Sequence, residues 1–521
     1  MEGIDAHPCE VEVDLNESEM RKEMIVGLPD ASVKESIERV KAALTNSGFA
    51  LPWGNVLINL APADVRKEGN VYDLPIAIAQ LMVVGSLPSG VVATAPRKYN
   101  TTGNAPAVKS PTLVAEPIDP RRFLFAGELA LDGRLRPIKG AIALAALAKA
   151  RGYQGVFVPA DNAPEASVVQ GVDVIGVRTL AETVAMLCGR LEPTLQPPMD
   201  ITTMLRTAPA PIDFVEVRGQ ESVKRALTIA AAGGHNILML GPAGTGKTMM
   251  AKALPGILPP LTPDEAIDIT RIYSAAGVLP PGVGLISARP VRTPHHTASS
   301  PAIVGGGAVP RPGEISLAHH GVLFLDELAE FPRIVLETLR QPMEDHVVTI
   351  ARAHAAIKFP ASFQLVAAMN PTPKGDVAPG EYGKREMERY LSKLSGPLLD
   401  RIDIHVEAPA VPFTQLAKSK PGTTTAMMRE RVHAARARQH ARQGTTPNCR
   451  LSGKLLDVHA PLSDESQALL GQALTEMGLS ARAYDKIRRV ARTIADLEES
   501  DVVGPDHVAE AVSYRLLDRK V

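Results

Sequence analysis

The chain of 521 residues carries 56 Lys plus Arg against 57 Asp plus Glu, which gives a formal net charge of −1. This balance excludes a globally basic, histone-like nucleic-acid binder and a highly acidic solvating protein, but it leaves room for a local basic face. The 3 cysteines lack CxxC spacing, and no apolar run is long enough to span a bilayer. These features predict a soluble, reduced, cytoplasmic protein with no membrane partner.

The first part of the chain, residues 1–190, has the pattern of an α/β domain. Strand-like runs at Val11–Leu15 and Val56–Leu60 flank a helical pattern at Ala31–Ser47. Residues 91–120 interrupt this pattern with five prolines and little periodicity, which predicts an extended surface loop.

Three further segments follow in chain order. The proline-rich stretch 191–214 is typical of an interdomain linker. Residues 215–410 return to α/β patterning, and residues 411–521 are predicted to end in a bundle of helices. The whole chain is therefore predicted to have three parts joined by one linker.

A phosphate-binding loop opens the second α/β domain. The apolar run Asn236–Leu240 predicts a buried parallel strand, and a helix-forming run follows the loop. Between them stands G-x-x-x-x-G-K-[ST], formed by Gly241, Pro242, Ala243, Gly244, Thr245, Gly246, Lys247 and Thr248. In this motif, backbone amides surround the phosphates, the lysine contacts the β- and γ-phosphates, and the threonine hydroxyl binds Mg²⁺. The alternative is a chance glycine-rich turn.

An acidic pair supplies the second element of an ATP site. Gly321–Leu325 is followed directly by Asp326 and Glu327, so a buried strand would present two carboxylates at its end. Asp326 is predicted to bind Mg²⁺ together with Thr248, and Glu327 to polarise the attacking water. The alternative role for Asp326 is the N-cap of a helix.

Three polar residues further along the chain complete the predicted site. Asn370 follows the strand-like run Gln364–Met369, where it would orient the lytic water unless Asn-Pro is a plain turn. Arg401 is predicted to reach the γ-phosphate on a neighbouring subunit, and the alternative is an ion pair with Asp400 or Asp403. Arg482 is predicted to reach the nucleotide from the C-terminal helices, unless it is a solvated helix charge.

These elements, in this order and followed by helices, resemble the AAA+ superfamily. The segments Arg292–Thr297, Arg311–Leu328 and Ser395–Asp403 resemble its magnesium-chelatase-like branch. Val26–Asp30 and Asn59–Asp64 are similar to the ComM/YifB family within that branch. The resemblance covers nearly the whole chain.

The resemblance implies an architecture and an activity. It implies an N-terminal Lon-like (ribosomal S5 domain 2-like) α+β domain, a P-loop AAA+ α/β core with a parallel sheet, and a C-terminal helical lid. It further implies ATP and Mg²⁺ as ligands, a homo-hexameric ring, and a branch-migration DNA helicase of the ComM type. The hairpin-like stretch His346–Lys358 resembles one that such rings direct at the pore, with Arg352, His354 and Lys358 as possible phosphate contacts; an ordinary solvated hairpin is the alternative.

The chain also departs from what the resemblance implies. The Lon-like domain has Ile76 and Ile142 where a protease would have its serine and lysine, so we predict no peptidase activity. Family members usually have cysteines after Asn370, but Asn370–Gly375 has none, so no zinc site is expected.

The sequence does not decide the role of one basic segment, and it allows two functions besides the DNA motor. Arg429–Arg442 contains five arginines and predicts either a phosphate-binding face or a solvated helix. A magnesium-chelatase motor subunit and a protein-remodelling ring are the alternatives to the DNA motor.

Overall fold

The computed structural model describes residues 3–16, 22–87, 114–206, 212–280, 282–307, 310–351, 356–372, 390, 392–411, 422–515 and 517. The chain forms two compact units, Met1–Ile201 with Thr270–Ile286, and Thr202–Ile269 with Ser287–Val521. Most of the predicted loop 91–120 lies outside the described residues.

The first unit contains small sheets with helices packed on them. Its strands are β1 Glu10–Asn16, β2 Glu23–Val26, β3 Asn55–Ala61, β4 Phe123–Phe125, β5 Glu128–Leu129, β6 Leu135–Arg136, β7 Gly155–Pro159 and β8 Asp173–Val177. Its helices are α1 Ala31–Asn46, α2 Asp73–Val83, α3 Ala141–Arg151, α4 Ala163–Ala166 and α5 Leu180–Leu187. The strand orders are β1-β3-β2, β4-β7-β8 and β5-β6.

Alternation of apolar residues sets the core of this unit. In β3, Val56, Ile58 and Leu60 face inward and are buried, while Leu57 between them is exposed. Ile76 in α2 and Ile142 in α3 are both 0% exposed. The two positions that the resemblance aligns with protease residues are therefore core positions here, and the absence of peptidase activity stays a prediction.

The second unit is built around a parallel sheet. Its strands are β9 Ile237–Leu240, β10 Val291–Arg292, β11 Gly305–Gly306, β12 Arg311–Pro312, β13 Val322–Leu325, β14 Val347–Ala351, β15 Ala356–Pro360, β16 Gln364–Met369 and β17 Ile404–Glu407. Five of them form one sheet in the order β10-β13-β16-β9-β17, and every pairing within it is parallel. The strands β13, β16 and β9 are buried along their whole length, which explains their continuous apolar sequences.

Helices cover this sheet and form the C-terminal region. Those before residue 422 are α6 Ile201–Arg206, α7 Glu221–Gly233, α8 Lys247–Ala253, α9 Pro263–Ala276, α10 Ser300–Val304, α11 Glu314–Leu317, α12 Arg333–Thr338, α13 Arg340–Asp345 and α14 Gly396–Leu399. The C-terminal ones are α15 Thr425–Gln443, α16 Lys454–His459, α17 Asp464–Met477, α18 Ala481–Leu497 and α19 Pro505–Ser513. Ile487, Val490 and Ile494 on one face of α18 belong to the same buried core as the sheet.

The structure differs from the expected segment pattern in two places. The proline-rich stretch 191–214 contains a short helix, α6, because the prolines leave Ile201–Arg206 free to form one. Thr270–Ile286, which falls inside the predicted ATPase core, groups with the first unit. There Ser274 is buried and its hydroxyl accepts the backbone N–H of Gly140 at 2.7 Å.

Candidate functional site: a phosphate loop and an acidic strand end

The predicted phosphate loop joins β9 to α8 at the carboxyl edge of the parallel sheet. Gly246 is the residue before α8 and has φ 84°, and Gly244 has φ 80°, a left-handed conformation that glycine adopts without strain. A Cβ added at Gly244 would meet no atom within 4 Å, so there is free space beside this residue. The two positive φ angles give the loop a backbone shape of the kind that binds phosphate.

Lys247 closes back onto its own loop. Its Nζ donates to the carbonyl oxygens of Gly241 and Pro242, both at 2.7 Å, and to Oδ1 of Asn370 at 3.3 Å. Burial lowers the pKa of Lys247 from its usual value, and the nearby charge of Asp326 opposes that shift. The ammonium is thus bound to the first two residues of the loop and to Asn370.

The predicted metal ligands lie side by side. Thr248 Oγ1 donates to Asp326 Oδ2 at 2.7 Å, and the backbone N–H of Glu327 donates to Asp326 Oδ1 at 3.1 Å. A hydroxyl and a carboxylate oxygen are ligands that suit Mg²⁺, which takes the rest of its shell from water and phosphate. These residues therefore fit the predicted ion.

Asn370 reaches the loop through strand register. Met369, the last residue of β16, pairs with Leu240, the last residue of β9, so the residues that follow both strands lie at one edge. This pairing explains the contact between Asn370 and Lys247. Four separate predicted elements, the loop lysine, its threonine, the acidic strand end and Asn370, are brought together.

Glu327 has a neighbour that the sequence did not single out. Its backbone has φ 53°, and its side chain is 53% exposed. His296 Nδ1 lies 3.2 Å from Glu327 Oε2. In the sequence, Arg292–Thr297 stands out through its family resemblance, and its two adjacent histidines are the one signal of a polar role for this segment.

Arg401 is not paired with either residue that the sequence offered. Its Nη2 lies 2.6 Å from Oε1 of Glu344, and its Nε and Nη1 donate to the carbonyl oxygens of Arg340 and Pro397. The expected alternative partners, Asp400 and Asp403, were therefore wrong as partners of Arg401. The reason is that the side chain turns toward α13, whose distance from Arg401 the sequence does not reveal.

Arg482 lies at the start of α18 and is mostly solvated. Its side chain is 75% exposed, and its Nη1 is 4.0 Å from Asp400 Oδ2. Within the described residues, neither Arg401 nor Arg482 has a hydrogen bond or ion pair with the phosphate loop. The contacts of the two arginines within the described residues do not test their predicted roles at the nucleotide, which stay predictions.

The structure describes the two strands of the predicted hairpin but not the residues between them. β14 and β15 pair antiparallel from Val347 to Pro360, with Lys358 opposite Thr349, and both of these side chains are exposed. Arg352 and His354 lie outside the described residues. An antiparallel ribbon is thus present, but its suggested contacts with DNA stay predictions.

Three of the five arginines in Arg429–Arg442 are engaged by other groups of the same chain. Arg429 Nε donates to the carbonyl of Gly256 at 2.6 Å, and Arg436 Nη2 donates to that of Ala231 at 3.1 Å. Arg442 binds both oxygens of the buried Asp496. These three guanidinium groups satisfy acceptors in the same chain, whereas Arg431 is exposed, so a phosphate-binding face on this helix stays a prediction.

One other group of side chains has the composition of a metal site. Asp268, His319 and His320 lie close enough to share an ion. However, His319 Nδ1 accepts the backbone N–H of Ser362 at 2.9 Å, and burial lowers the pKa of His319 to about 3. The neutral ring therefore has its proton on Nε2 and no free lone pair for a metal. In the part of the chain that the structure describes, we assign no metal to this cluster.

The fold and the site together define a P-loop nucleotide-binding protein with an acidic strand end beside the loop. Family models agree along most of the chain: "Magnesium chelatase, subunit ChlI" matches residues 213–416, its C-terminal counterpart matches residues 422–515, and "Subunit ChlI of Mg-chelatase" matches residues 11–95 and 111–162. The chain belongs to the magnesium chelatase ChlI family of AAA+ ATPases, in its ComM/YifB group.

Several relatives support this assignment. The competence protein ComM of Haemophilus influenzae is 41% identical over 99% of this chain and 96% of its own length. The YifB protein of Escherichia coli is 41% identical with the same coverage of both chains. The magnesium-chelatase 38 kDa subunit of Rhodobacter capsulatus is 25% identical over 59% of this chain and 87% of its own length.

Family membership carries two general expectations for the site. Members of this family bind ATP and Mg²⁺, and the residues gathered at the sheet edge are of the kinds that those ligands need.

Among the helices that the structure describes, none is long and apolar enough to cross a membrane.

Proposed function

We propose that this chain hydrolyses Mg²⁺-ATP and uses the energy to remodel DNA as a homo-oligomeric ring, in the manner of a ComM-type branch-migration motor. The observation that carries the ATPase part is the pair of side-chain contacts Lys247–Asn370 and Thr248–Asp326, which join four motif residues at one sheet edge. Similarity to ComM over nearly the full length supports the DNA part.

Each residue at the edge has a distinct task in this proposal. The loop amides and Lys247 bind the phosphates, and Thr248 and Asp326 hold Mg²⁺. When bound, Mg²⁺ neutralises charge on the phosphate oxygens. Glu327 orients a water molecule and accepts its proton, and Asn370 fixes that water from the neighbouring strand.

The ring part of the proposal depends on the two arginines. Arg401 is bound to Glu344 and to backbone carbonyls in the single chain, and Arg482 is mostly exposed. The guanidinium of Arg401 is engaged away from the loop of its own chain, so it is suited to stabilise charge on a neighbour's nucleotide, and we assign it to the site of the adjacent subunit. We assign Arg482 to the nucleotide of its own subunit on a different ground, which is its place in the C-terminal helices that the family resemblance implies to form a lid.

The DNA part depends on the ribbon formed by β14 and β15. Lys358 is an exposed cation on this ribbon, and we propose Arg352 and His354, which follow Ala351 in sequence, as further phosphate contacts. A formal net charge of −1 means that any DNA contact is local rather than global, and phosphate contacts of this kind read no sequence.

The proposal for the N-terminal unit rests on the same family resemblance. We propose that the first unit is a Lon-like domain without peptidase activity.

Two other functions are candidates for the whole chain. A magnesium-chelatase motor subunit is the second candidate, favoured by the similarity to the Rhodobacter protein over 59% of this chain. A protein-remodelling ring is the third, because ATPase chemistry alone does not define what the ring acts on.

The deciding experiment is steady-state ATP hydrolysis by the full chain, with no DNA and with single-stranded, duplex and forked DNA. We expect hydrolysis that DNA stimulates, most strongly in the forked form, and that the Glu327→Gln variant loses by about 10²-fold or more while it still binds nucleotide. Hydrolysis that no DNA changes would contradict the DNA motor and favour the other two candidates. A wild-type protein that hydrolyses no ATP would contradict the ATPase itself.

A further inference from the structure

Two cations on α18 face the two carboxylates that flank Arg401 in sequence. Arg482 and Lys486 are four residues apart, so they lie one turn apart on the same side of the helix. Arg482 Nη1 lies 4.0 Å from Asp400 Oδ2, and Lys486 Nζ lies 3.4 Å from Asp403 Oδ1. The helix is therefore paired with the segment that carries Arg401 on both sides of that residue.

The two ion pairs differ in their access to solvent. The side chain of Arg482 is 75% exposed, whereas those of Lys486 and Asp403 are 12% and 11% exposed. Burial would raise the pKa of Asp403, yet the charge of Lys486, together with His235 and Arg515, lowers it below its usual value. An exposed pair is screened by water and contributes little, whereas charges removed from water attract each other more strongly. Lys486 therefore makes the stronger of the two links.

The main chain around Arg401 is held from two directions. From the sheet, Asn236, which precedes β9, donates from Nδ2 to the carbonyl oxygen of Arg401 at 3.0 Å. From the C-terminal region, Arg515 Nη1 donates to the carbonyl oxygen of Ile402 at 2.6 Å, and Lys486 Nζ donates to the same oxygen at 3.5 Å. These bonds fix the main chain and leave the side chain of Arg401 as the part that can change direction.

A fixed main chain matters for an arginine that acts on another subunit. The guanidinium stands at the end of a long side chain, so its reach toward a phosphate depends on where its Cα lies. A misplacement of about 1 Å at a reacting group can lower a rate by about 10²-fold. A residue that fixes the main chain of Arg401 therefore influences the rate at the neighbouring site without contact with the nucleotide there.

We propose that Lys486 is a positioning residue for Arg401: through its ion pair with Asp403, it fixes the main chain from which Arg401 reaches the nucleotide of the adjacent subunit. This inference rests on the proposed ring ATPase and adds a residue to it. In this assignment Lys486 contacts neither nucleotide nor metal. Its removal lowers hydrolysis in the neighbouring subunit and leaves nucleotide binding in its own subunit intact.

The first test replaces the charge of Lys486 and keeps most of the length of its side chain. We expect Lys486→Met to lower kcat about tenfold, with affinity for a fluorescent ADP analogue within about twofold of wild type. Lys454→Met is the matched control, because Lys454 is exposed at the start of α16 in the same C-terminal region, and it should keep the wild-type kcat. Since a lone buried carboxylate destabilises a fold, the second variant combines Lys486→Met with Asp403→Asn, and it should show the same loss of kcat.

Mixed rings show in which subunit the defect lies. Lys486→Met refolded together with Glu327→Gln should hydrolyse ATP well above the sum of the separate preparations, because some interfaces then combine an intact Glu327 with a correctly held Arg401. Lys486→Met refolded together with Arg401→Ala should stay at that sum, because neither chain supplies a correctly held arginine. A protein whose fold is merely weakened would show no such difference between the two mixtures.

Three results overturn this inference alone while the wild type is active. They are a kcat for Lys486→Met equal to that of wild type, recovery in the mixture with Arg401→Ala, and no recovery in the mixture with Glu327→Gln although co-purification shows mixed rings. If the wild type hydrolyses no ATP, or if Arg401→Ala keeps the wild-type kcat, the proposed function itself fails and this inference fails with it.

Discussion

Two regions of the second unit carry the predicted ATP chemistry, and they differ in how their side chains are engaged. At the phosphate loop, Lys247 donates to Asn370 and Thr248 donates to Asp326. At the second region, Arg401 is bound to Glu344. The first region is assembled by a single chain. The second region supplies the arginine charge that catalysis needs, but Arg401 contacts Glu344 and two backbone carbonyls rather than residues of the loop.

This difference suggests a division of labour. We expect a single subunit to bind nucleotide with the loop and the acidic strand end, and hydrolysis at full rate to require an arginine from another subunit. Variants of the loop should therefore impair the subunit that carries them, whereas variants of Arg401 should impair the neighbour. The predictions below test this contrast from the largest effect to the smallest.

Lys247→Ala should have the largest effect, because it removes the cation that the loop directs at the phosphates. We expect kcat/KM for ATP to fall by about 10³-fold, measured by steady-state hydrolysis, together with weaker nucleotide binding. Lys252→Ala is the matched control, since it lies on the same helix with an exposed side chain. Equal activity of the two variants would contradict the assignment of the loop.

Arg401→Ala should be nearly as damaging to turnover but should spare binding. We expect kcat to fall by about 10²-fold or more, with affinity for a fluorescent ADP analogue unchanged. The opposite pattern, lost binding with normal kcat, would place Arg401 in the loop's own site and remove the contrast between the two regions.

Arg482→Ala should have a moderate effect. Because its side chain is mostly exposed and, among the described residues, forms an ion pair only with Asp400 at 4.0 Å, its loss should leave thermal stability unchanged. We expect kcat to fall by about tenfold through lost contact with the nucleotide, measured alongside the melting temperature. A variant with wild-type kinetics would show that Arg482 is an ordinary solvated charge.

Glu344→Gln should have the smallest effect and the opposite sign. It removes the charge that binds Arg401 while keeping the shape of the side chain, which is 60% exposed. If Arg401 must leave Glu344 to act on a neighbour, we expect kcat to rise by about twofold. A clear fall in kcat would show instead that Glu344 holds Arg401 in its active position.

The sequence predicted the loop region better than the arginine region, for a physical reason. In the first region, short apolar runs end directly at polar residues. The predicted run Gln364–Met369 is β16 with the same bounds, so the parallel sheet alone brings Asn370 to Lys247. Strand order and register are thus sufficient to place these residues.

The contacts that the sequence did not predict depend on how loops and helices pack. Glu344 lies on α13 and His296 in a loop, and neither has a spacing that relates it to Arg401 or Glu327. Likewise, the arginines of α15 looked like a basic face, yet Arg442 binds the buried Asp496 from another helix. Pairings of this kind are set by tertiary packing, which the pattern of a single segment does not contain.

The most direct test of the central claim, a site completed by a neighbour's arginine, is to mix two inactive proteins. Arg401→Ala has an intact loop region, and Glu327→Gln has an intact Arg401. When the two are refolded together, mixed rings should regain ATP hydrolysis well above the sum of the separate preparations, because some interfaces then combine both intact regions. Mixed assemblies that form, as shown by co-purification of differently tagged chains, yet hydrolyse no more than that sum would contradict the account.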